Sequence, residues 1–292
     1  MAPRTLRAAT RASPLARWQA EHVAGLLTRA HRGLRVELEL IETEGDRRLD
    51  VPISTFGGKG VFAKEVQSAV LEGRADFAVH SGKDLPAITL DGLTLAAVPE
   101  RGDARDALVG HPLDDLAPGA TVATGSQRRR VQLATLRPDL TFTELRGNMA
   151  TRLTKVPDGG AIVVAAVALE RLGLAHRISQ VLTEEQMVPQ VAQGALAIEC
   201  RSDDHHALTL LGAIEHEGSR RRVEAERAYL AELGGDCDLP AGAHAVAEPD
   251  GSLRLDAVLA PSGAPGAVVR RYSASGTDPI ALGVDVARHL RG

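Results

Sequence analysis

The feature that most constrains this chain is an alternation of short apolar runs with helix-type periods, and the junctions carry residues that start helices. Leu6–Thr10 reads as a short, mainly apolar run that includes Arg7. Ser13 and Pro14 follow, a serine fit to cap a helix and a proline at its first position. Leu15, Trp18, His22/Val23 and Leu26 then recur at helical spacing. Leu34, Val36, Leu38 and Leu40 alternate with polar residues, as a strand does. Val61–Leu71 reads as a helix and Ala75–His80 as a strand, with Lys83 and Asp84 just past its end. The middle repeats the pattern: Ala120–Thr124, Thr141–Leu145 and Ala161–Ala165 read as strands. Ser126 can cap a helix running to Leu136, Gly147 and Asn148 turn into another, and a third ends near Gly173.

That alternation predicts α/β domains. Ala195–Cys200 is a further apolar strand, expected to return to the first domain. The tail differs. Arg220–Leu233 has a long helical period and leads into the Gly- and Pro-rich stretch Gly234–Gly242, which holds Cys237. Ala243–Ala247, Leu253–Leu259 and Val268–Ser273 read as strands, and Pro279–Leu290 as a closing helix. The expected organisation is an α/β domain from residues 1–99 with 195–215, a second from 100–194, and a small α+β domain from 216–292.

Apolar residues make up 44% of the chain, enough for a buried core, while aromatics are 2%, so Ala, Val, Leu and Ile must build it. No apolar stretch is long enough to span a bilayer and the N-terminus lacks a secretory pattern, which favours a cytoplasmic protein. Two cysteines, Cys200 and Cys237, do not make a disulfide framework. A net charge of -4 does not indicate a general nucleic-acid binder. Of the 34 basic residues only Lys59, Lys64, Lys83 and Lys155 are lysines, and three of those lie between positions 59 and 83.

Several clusters could carry chemistry. Arg11 and Ser13 stand at a helix mouth, where free N–H groups and a guanidinium suit a carboxylate. Arg128, Arg129 and Arg130 follow Ser126 in a first helical turn, where cations oppose the helix dipole; a shared anionic ligand would account for them. Arg146, Gly147 and Arg152 sit at another strand-to-helix junction, and Arg171 belongs to a further such segment. Repeated anion-binding positions point to a ligand with many negative charges. Gly57-Gly58-Lys59-Gly60 lacks the spacing of a phosphate-binding loop and reads as a mobile loop. Asp84, beyond a strand end, can act as acid or base or stabilise a cation. Cys200 in its apolar strand reads as core. Cys237 reads as a nucleophile, a covalent anchor or an inert thiol. His205 and His206 are adjacent rather than spaced for a metal and read as surface residues.

ATRASPLARWQA (Ala9–Ala20), FGGKGVFAKE (Phe56–Glu65), ADFAVHSGKDLPA (Ala75–Ala87), ATGSQRRRVQL (Ala123–Leu133), LRGNMATRLTK (Leu145–Lys155) and the Cys237 loop with Pro240 and Gly242 resemble, in order and spacing, the hydroxymethylbilane synthases (porphobilinogen deaminases). The resemblance implies two α/β domains like those of type II periplasmic binding proteins and a small C-terminal α+β domain. It implies a dipyrromethane cofactor in thioether linkage to Cys237, and porphobilinogen as the small-molecule substrate of a monomeric, cytoplasmic transferase of tetrapyrrole and porphyrin biosynthesis with no nucleic-acid or membrane partner. Asp84 matches the catalytic aspartate. Lys83, Ser126, Arg128, Arg129, Arg146 and Gly147, with Asp84, match the cofactor-binding set. Arg11, Ser13, Arg152 and Arg171 match residues that bind the acetate and propionate groups of substrate. Lys59 matches the active-site loop, and Phe62 follows it.

This sequence departs from the family in three places. Asp236 stands before Cys237 where glycine is usual, and Asp238 adds a second negative charge; both should slow attachment of a cofactor to the thiol. Gly82 replaces a larger residue before Lys83. Three rival readings remain at this stage: a non-catalytic polyanion-binding protein of the same lobed build, a nucleic-acid-binding regulator using Arg128–Arg130, and a paralogue disabled by Asp236.

Overall fold

The computed structural model describes residues 4–43, 63–234 and 239–292. These group into two compact units, Met1–Arg101 with Ala195–Arg220, and Gly102–Gly194 with Arg221–Gly292. The fold class is the expected one, two α/β sheet domains and a small C-terminal α+β domain.

The first unit is built on a five-stranded sheet. β1 (Arg4–Arg11) pairs in parallel with β2 (Leu34–Ile41) and β3 (Phe77–Ser81). β10 (Leu196–Arg201) returns antiparallel between β3 and β4 (Leu93–Ala97), so the late strand does rejoin the first sheet, in the order β2-β1-β3-β10-β4. Helix α1 (Pro14–Ala30) starts where the Ser13–Pro14 pair predicts: the Ser13 hydroxyl accepts from the Ala16 N–H at 3.3 Å. Its Ala20, Val23 and Leu27 pack with Leu6, Phe77 and Ile198 on one sheet face. Helix α2 (Lys64–Leu71) covers the other face through Val66, Ala69 and Val70, against Ala9 and Ala78. Its start is Lys64; positions 61 and 62 of the predicted helix lie outside the described residues. β4 and the helix α6 (His205–Gly212) were not foreseen; α6 is capped by Asp204 and adds Ala207 and Leu211 to the α1 side.

The second unit contains two sheets. One has the order β7-β6-β8-β5-β9. β6 (Thr121–Ala123) lies in parallel between β7 (Thr141–Thr143) and β8 (Ala161–Ala165). β5 (Asp106–Gly110) and β9 (Gln180–Val181) were not foreseen, and β5 runs antiparallel to β8. Helices α3 (Gln127–Leu136), α4 (Met149–Leu153) and α5 (Ala166–Arg171) connect the strands. Leu133 packs on one face with Leu108 and Val163, and Leu169 on the other with Ile162 and Val164. The second sheet is an antiparallel meander of β11 (Ala241–Ala247), β12 (Leu253–Leu259) and β13 (Arg270–Gly276), the last beginning two residues after the expected Val268. Helices α7 (Glu217–Glu232) and α8 (Pro279–Arg291) complete that α+β domain. Gly283 of α8 lies so close to α7 that an added Cβ would fall 2.7 Å from the Tyr229 nitrogen.

Candidate active site

Parallel strands bring the ends of β1 and β3 to one edge of the first sheet. Arg11 closes β1, and Gly82–Asp84 forms a 3-10 turn directly after β3. The turn is fastened by the Gly82 N–H donating to the Ala195 carbonyl at 2.9 Å. A cavity of about 50 Å³ opens at this edge, lined by Arg11, Ser13, Gln19, His80, Ser81 and Asp84 together with the apolar Leu15, Ala16, Ala63 and Val79. This is the carboxyl-end position at which open α/β sheets bind ligands. A guanidinium, two hydroxyls and a helix N-terminus offer donors to an anion, and a single carboxylate lies among them.

Gln19 and His80 were not singled out in the sequence. Gln19 is 3% exposed and His80 7%. His80 Nε2 lies 3.2 Å from Glu199 Oε2, off the line of a hydrogen bond, and the same oxygen accepts from Gln67 Nε2 at 2.8 Å. The signal was present: Glu199 interrupts the apolar strand Leu196–Arg201, and a carboxylate inside such a strand requires buried partners.

The β7-β6-β8-β5-β9 sheet repeats the arrangement with different residues. Ser126 follows β6 and caps α3, its hydroxyl accepting from the Arg129 N–H at 3.4 Å. Arg128 and Arg129, in the first turn, are 2% and 7% exposed. Their counter-ion is internal. Asp106 Oδ2 accepts from Arg128 Nη2 at 2.7 Å, and Oδ1 from Arg129 Nη2 at 2.7 Å and Nε at 3.0 Å. Gln193 Nε2 adds a fourth bond to the carboxylate, through Oδ1 at 2.9 Å. Burial pushes the Asp106 carboxyl up, yet the two guanidinium groups and the amide outweigh it and hold the group below the usual range. Asp106 was missed because β5 was missed; antiparallel pairing of Asp106 with Ala165 carries the aspartate to the edge where β6 and β8 end. So the opposition between these arginines and the helix dipole is relieved first by a residue of the chain. Arg130, the third of the run, pairs with Glu144 at 2.8 Å.

Arg146 follows β7. Its Nη1 is a buried atom with no hydrogen-bond partner among the described residues. Gly147 has φ 110, and a Cβ there would meet Thr151 at 2.8 Å, so the turn demands glycine. Asn148 caps α4, its side-chain oxygen accepting from the Thr151 N–H at 3.0 Å. Arg152 Nε donates to the Gly147 carbonyl at 2.8 Å. Arg171 ends α5, the helix that follows β8 and was expected to close near Gly173. Its Nη2 donates to the Gly194 carbonyl at 2.7 Å, and burial pulls its pKa down to about 10. Lys59, Phe62, Asp236, Cys237 and Asp238 lie outside the described residues. Cys200 is buried core, as expected. His205 is exposed at the first turn of α6, and no group of metal-ligating side chains occurs among the described residues. None of the described helices is long and apolar enough to cross a membrane.

Residues 6–209 match the family model described as porphobilinogen deaminase, dipyromethane cofactor binding domain, and residues 220–292 match porphobilinogen deaminase, C-terminal domain. Two curated relatives, the porphobilinogen deaminases of two Acidithiobacillus ferrooxidans strains, are each 45% identical over 294 aligned positions, covering 99% of this chain and 95% of theirs. Among solved structures, the methionine-binding protein MetQ is similar at 14% identity and a TM-score of 0.45, over 75% of this chain and 93% of its own. A TRAP periplasmic solute binding protein from Desulfovibrio salexigens is similar at 14% identity and a TM-score of 0.45, over 75% of this chain and 74% of its own.

Proposed function

The chain belongs to the porphobilinogen deaminase family, and on that premise we propose which of its residues carry the family's reaction. That reaction joins four porphobilinogen molecules head to tail, with loss of ammonia, on an enzyme-bound dipyrromethane and releases the linear tetrapyrrole hydroxymethylbilane by hydrolysis. The chain is a transferase of this kind, in tetrapyrrole biosynthesis.

The observation that carries the assignment of roles is the cavity shared by Arg11, Ser13 and Asp84. Porphobilinogen brings two carboxylates and an aminomethyl group. In this reading Arg11, Ser13 and the N-terminus of α1 bind a carboxylate. The carboxylate of Asp84 faces the carbon from which ammonia departs and stabilises the positive charge that develops there. Lys83, beside it, contributes a further cation for the acidic side chains.

The residues present fit a dipyrromethane cofactor. It carries carboxylates, and the unpartnered Nη1 of Arg146 and the donor set of Arg128, Arg129 and Ser126 suit them. Bound through Cys237, the cofactor supplies the nucleophilic pyrrole carbon from which the chain grows. Lys83, Asp84, Ser126, Arg128, Arg129, Arg146 and Gly147 hold it, while Arg152 and Arg171, with Lys59 and Phe62, serve the incoming substrate. Each addition brings two more carboxylates, and the surplus of arginine answers that demand.

Cytoplasmic operation as a monomer, without nucleic acid, completes the reading. It is supported by Cys200, buried as a free thiol, and by a net charge of -4, which does not favour a phosphate backbone. The test is intact mass with turnover. The purified protein should exceed its sequence mass by two linked pyrroles, and Cys237→Ser should lose that excess. Asp84→Ala should keep it while tetrapyrrole formation falls by about 100-fold or more. Near-normal turnover in Asp84→Ala, or no covalent pyrrole after incubation with porphobilinogen, rejects the assignment.

A further inference from the structure

Asp106 does more than fill a polar hole, and its position says why. Two guanidinium groups enter the same buried spot from one helical turn, and one carboxylate meets them. All three side chains are below a tenth exposed, with Asp106 at 0%. Among the described residues, Asp106 favours the Arg128 cation and Arg129 opposes it. Two positive charges against one negative leave a net charge of +1 at the head of α3, on the edge of the sheet where β6 and β8 end. A pair matched one to one would be neutral, whereas here one buried positive charge is left uncompensated, for an anion to answer.

The donor geometry agrees. Arg128 directs Nη1 to the Val188 carbonyl at 2.6 Å and Nε to Gln190 at 3.3 Å, and Arg129 directs Nη1 to the Val163 carbonyl at 3.0 Å. Each guanidinium has more N–H donors than these bonds and Asp106 use. Asp106 therefore fixes the orientation of both forks without consuming them.

We propose that Asp106 is a positioning residue that sets the Arg128–Arg129 pair to one net positive charge, so that the pair grips a carboxylate of the growing chain and still releases it when the next unit arrives. This rests on the assignment of Arg128 and Arg129 to carboxylate binding, and it adds what limits that binding. A chain extended four times in one place must advance after each addition, and a site that holds its anions too well stalls.

Charge substitutions separate the cases, read by intact mass of the holoprotein after a brief exposure to limiting porphobilinogen. The mass spectrum resolves species carrying successive added pyrroles, and their decay after dilution gives the lifetime of each. Asp106→Asn raises the pair to +2 and should lengthen the lifetime of the most extended species on the order of tenfold. Arg129→Gln lowers it to zero and should shorten that lifetime or prevent extended species from forming. The double variant returns to +1 and should hold extended species longer than Arg129→Gln alone does, close to the unsubstituted protein. Thermal melting of each variant reports folding. If Arg129→Gln leaves the distribution unchanged, the carboxylate-binding assignment fails. If Arg129→Gln changes it but the double variant does not recover, the charge-setting role fails and the assignment stands. Should Asp106→Asn not accumulate as folded protein, the comparison of Arg129→Gln with the double variant decides; if neither variant with asparagine folds, Asp106 serves folding alone and the proposal is overturned.

Discussion

Glu226 holds Ala192 in a left-handed conformation: the fully buried carboxylate accepts from the Ala192 N–H at 2.7 Å, and Ala192 has φ 56. The other carboxylate oxygen accepts from the Ala245 N–H of β11 at 2.9 Å. One side chain of α7 thus fastens both the loop before Gly194 and the first strand after the Cys237 segment. Gln193, next to the strained residue, donates to Asp106, and Arg171 donates to Gly194. Three consecutive positions, 192 to 194, join the arginine site to the C-terminal domain.

Replacing Glu226 should therefore be costly. Glu226→Ala leaves two buried N–H groups without an acceptor, a loss of roughly 2–5 kcal/mol. Denaturant unfolding should show the midpoint move accordingly. Ala192→Gly should behave unlike an ordinary alanine-to-glycine change. Relief of the positive φ, worth about 1–2 kcal/mol, offsets glycine's entropy, so stability should stay within about 1 kcal/mol of the parent or rise. A clear loss would mean that Ala192 is not strained.

Gly242 lies where β11 meets Arg128. A Cβ there would stand 2.7 Å from the Pro189 carbonyl oxygen and 2.9 Å from Arg128 Cδ. Gly242→Ala should shift Arg128 and lower stability by about 1–3 kcal/mol. The readout that links it to function is a reduced yield of covalently bound pyrrole at equal protein, seen by intact mass.

Acid should spare the arginine site. Asp106 has its folded pKa depressed below the unfolded value of 3.8, so its stabilising contribution is present above that value and is lost only as pH falls beneath it. The exposed pair Arg137–Asp139 gives a titration that can be followed directly. The hydrogen bond from Arg137 holds Asp139 down to about 2, and its contribution is lost between 3.8 and that value. Carboxyl-carbon NMR of Asp139 should show a midpoint near 2, and Arg137→Gln should return it towards the ordinary aspartate value.

Thiol labelling should discriminate the two cysteines. Burial, and then the nearby Asp204, push the Cys200 thiol up to about 11, so it should resist iodoacetamide in the native protein at pH 8. If Cys237 carries a thioether, the native protein should take up no label and the denatured protein only one, on Cys200. Labelling of native Cys200 would contradict its buried placement.

Local residues were enough to read much of this protein. Capping serines and asparagines marked Ser13, Ser126 and Asn148 as helix starts, because a free N–H at a helix end must find an acceptor close in sequence. Alternating apolar residues marked β2, an unbroken apolar run marked β8, and the short motifs around Asp84, Arg128 and Cys237 resembled one family. What tertiary structure alone decided was the partners. Asp106, Glu199 and Glu226 meet their arginines, glutamines, histidine and backbone amides across 19 to 132 positions of chain, and strand order, not spacing, brings them together. Antiparallel return of β5 places Asp106 opposite Ala165 at the end of β8, and that of β10 sets Glu199 opposite Ala78 inside the first sheet; nothing local to either strand records which neighbour it will meet. Burial made those pairings obligatory, since a charge removed from water must be answered by whatever the fold puts beside it.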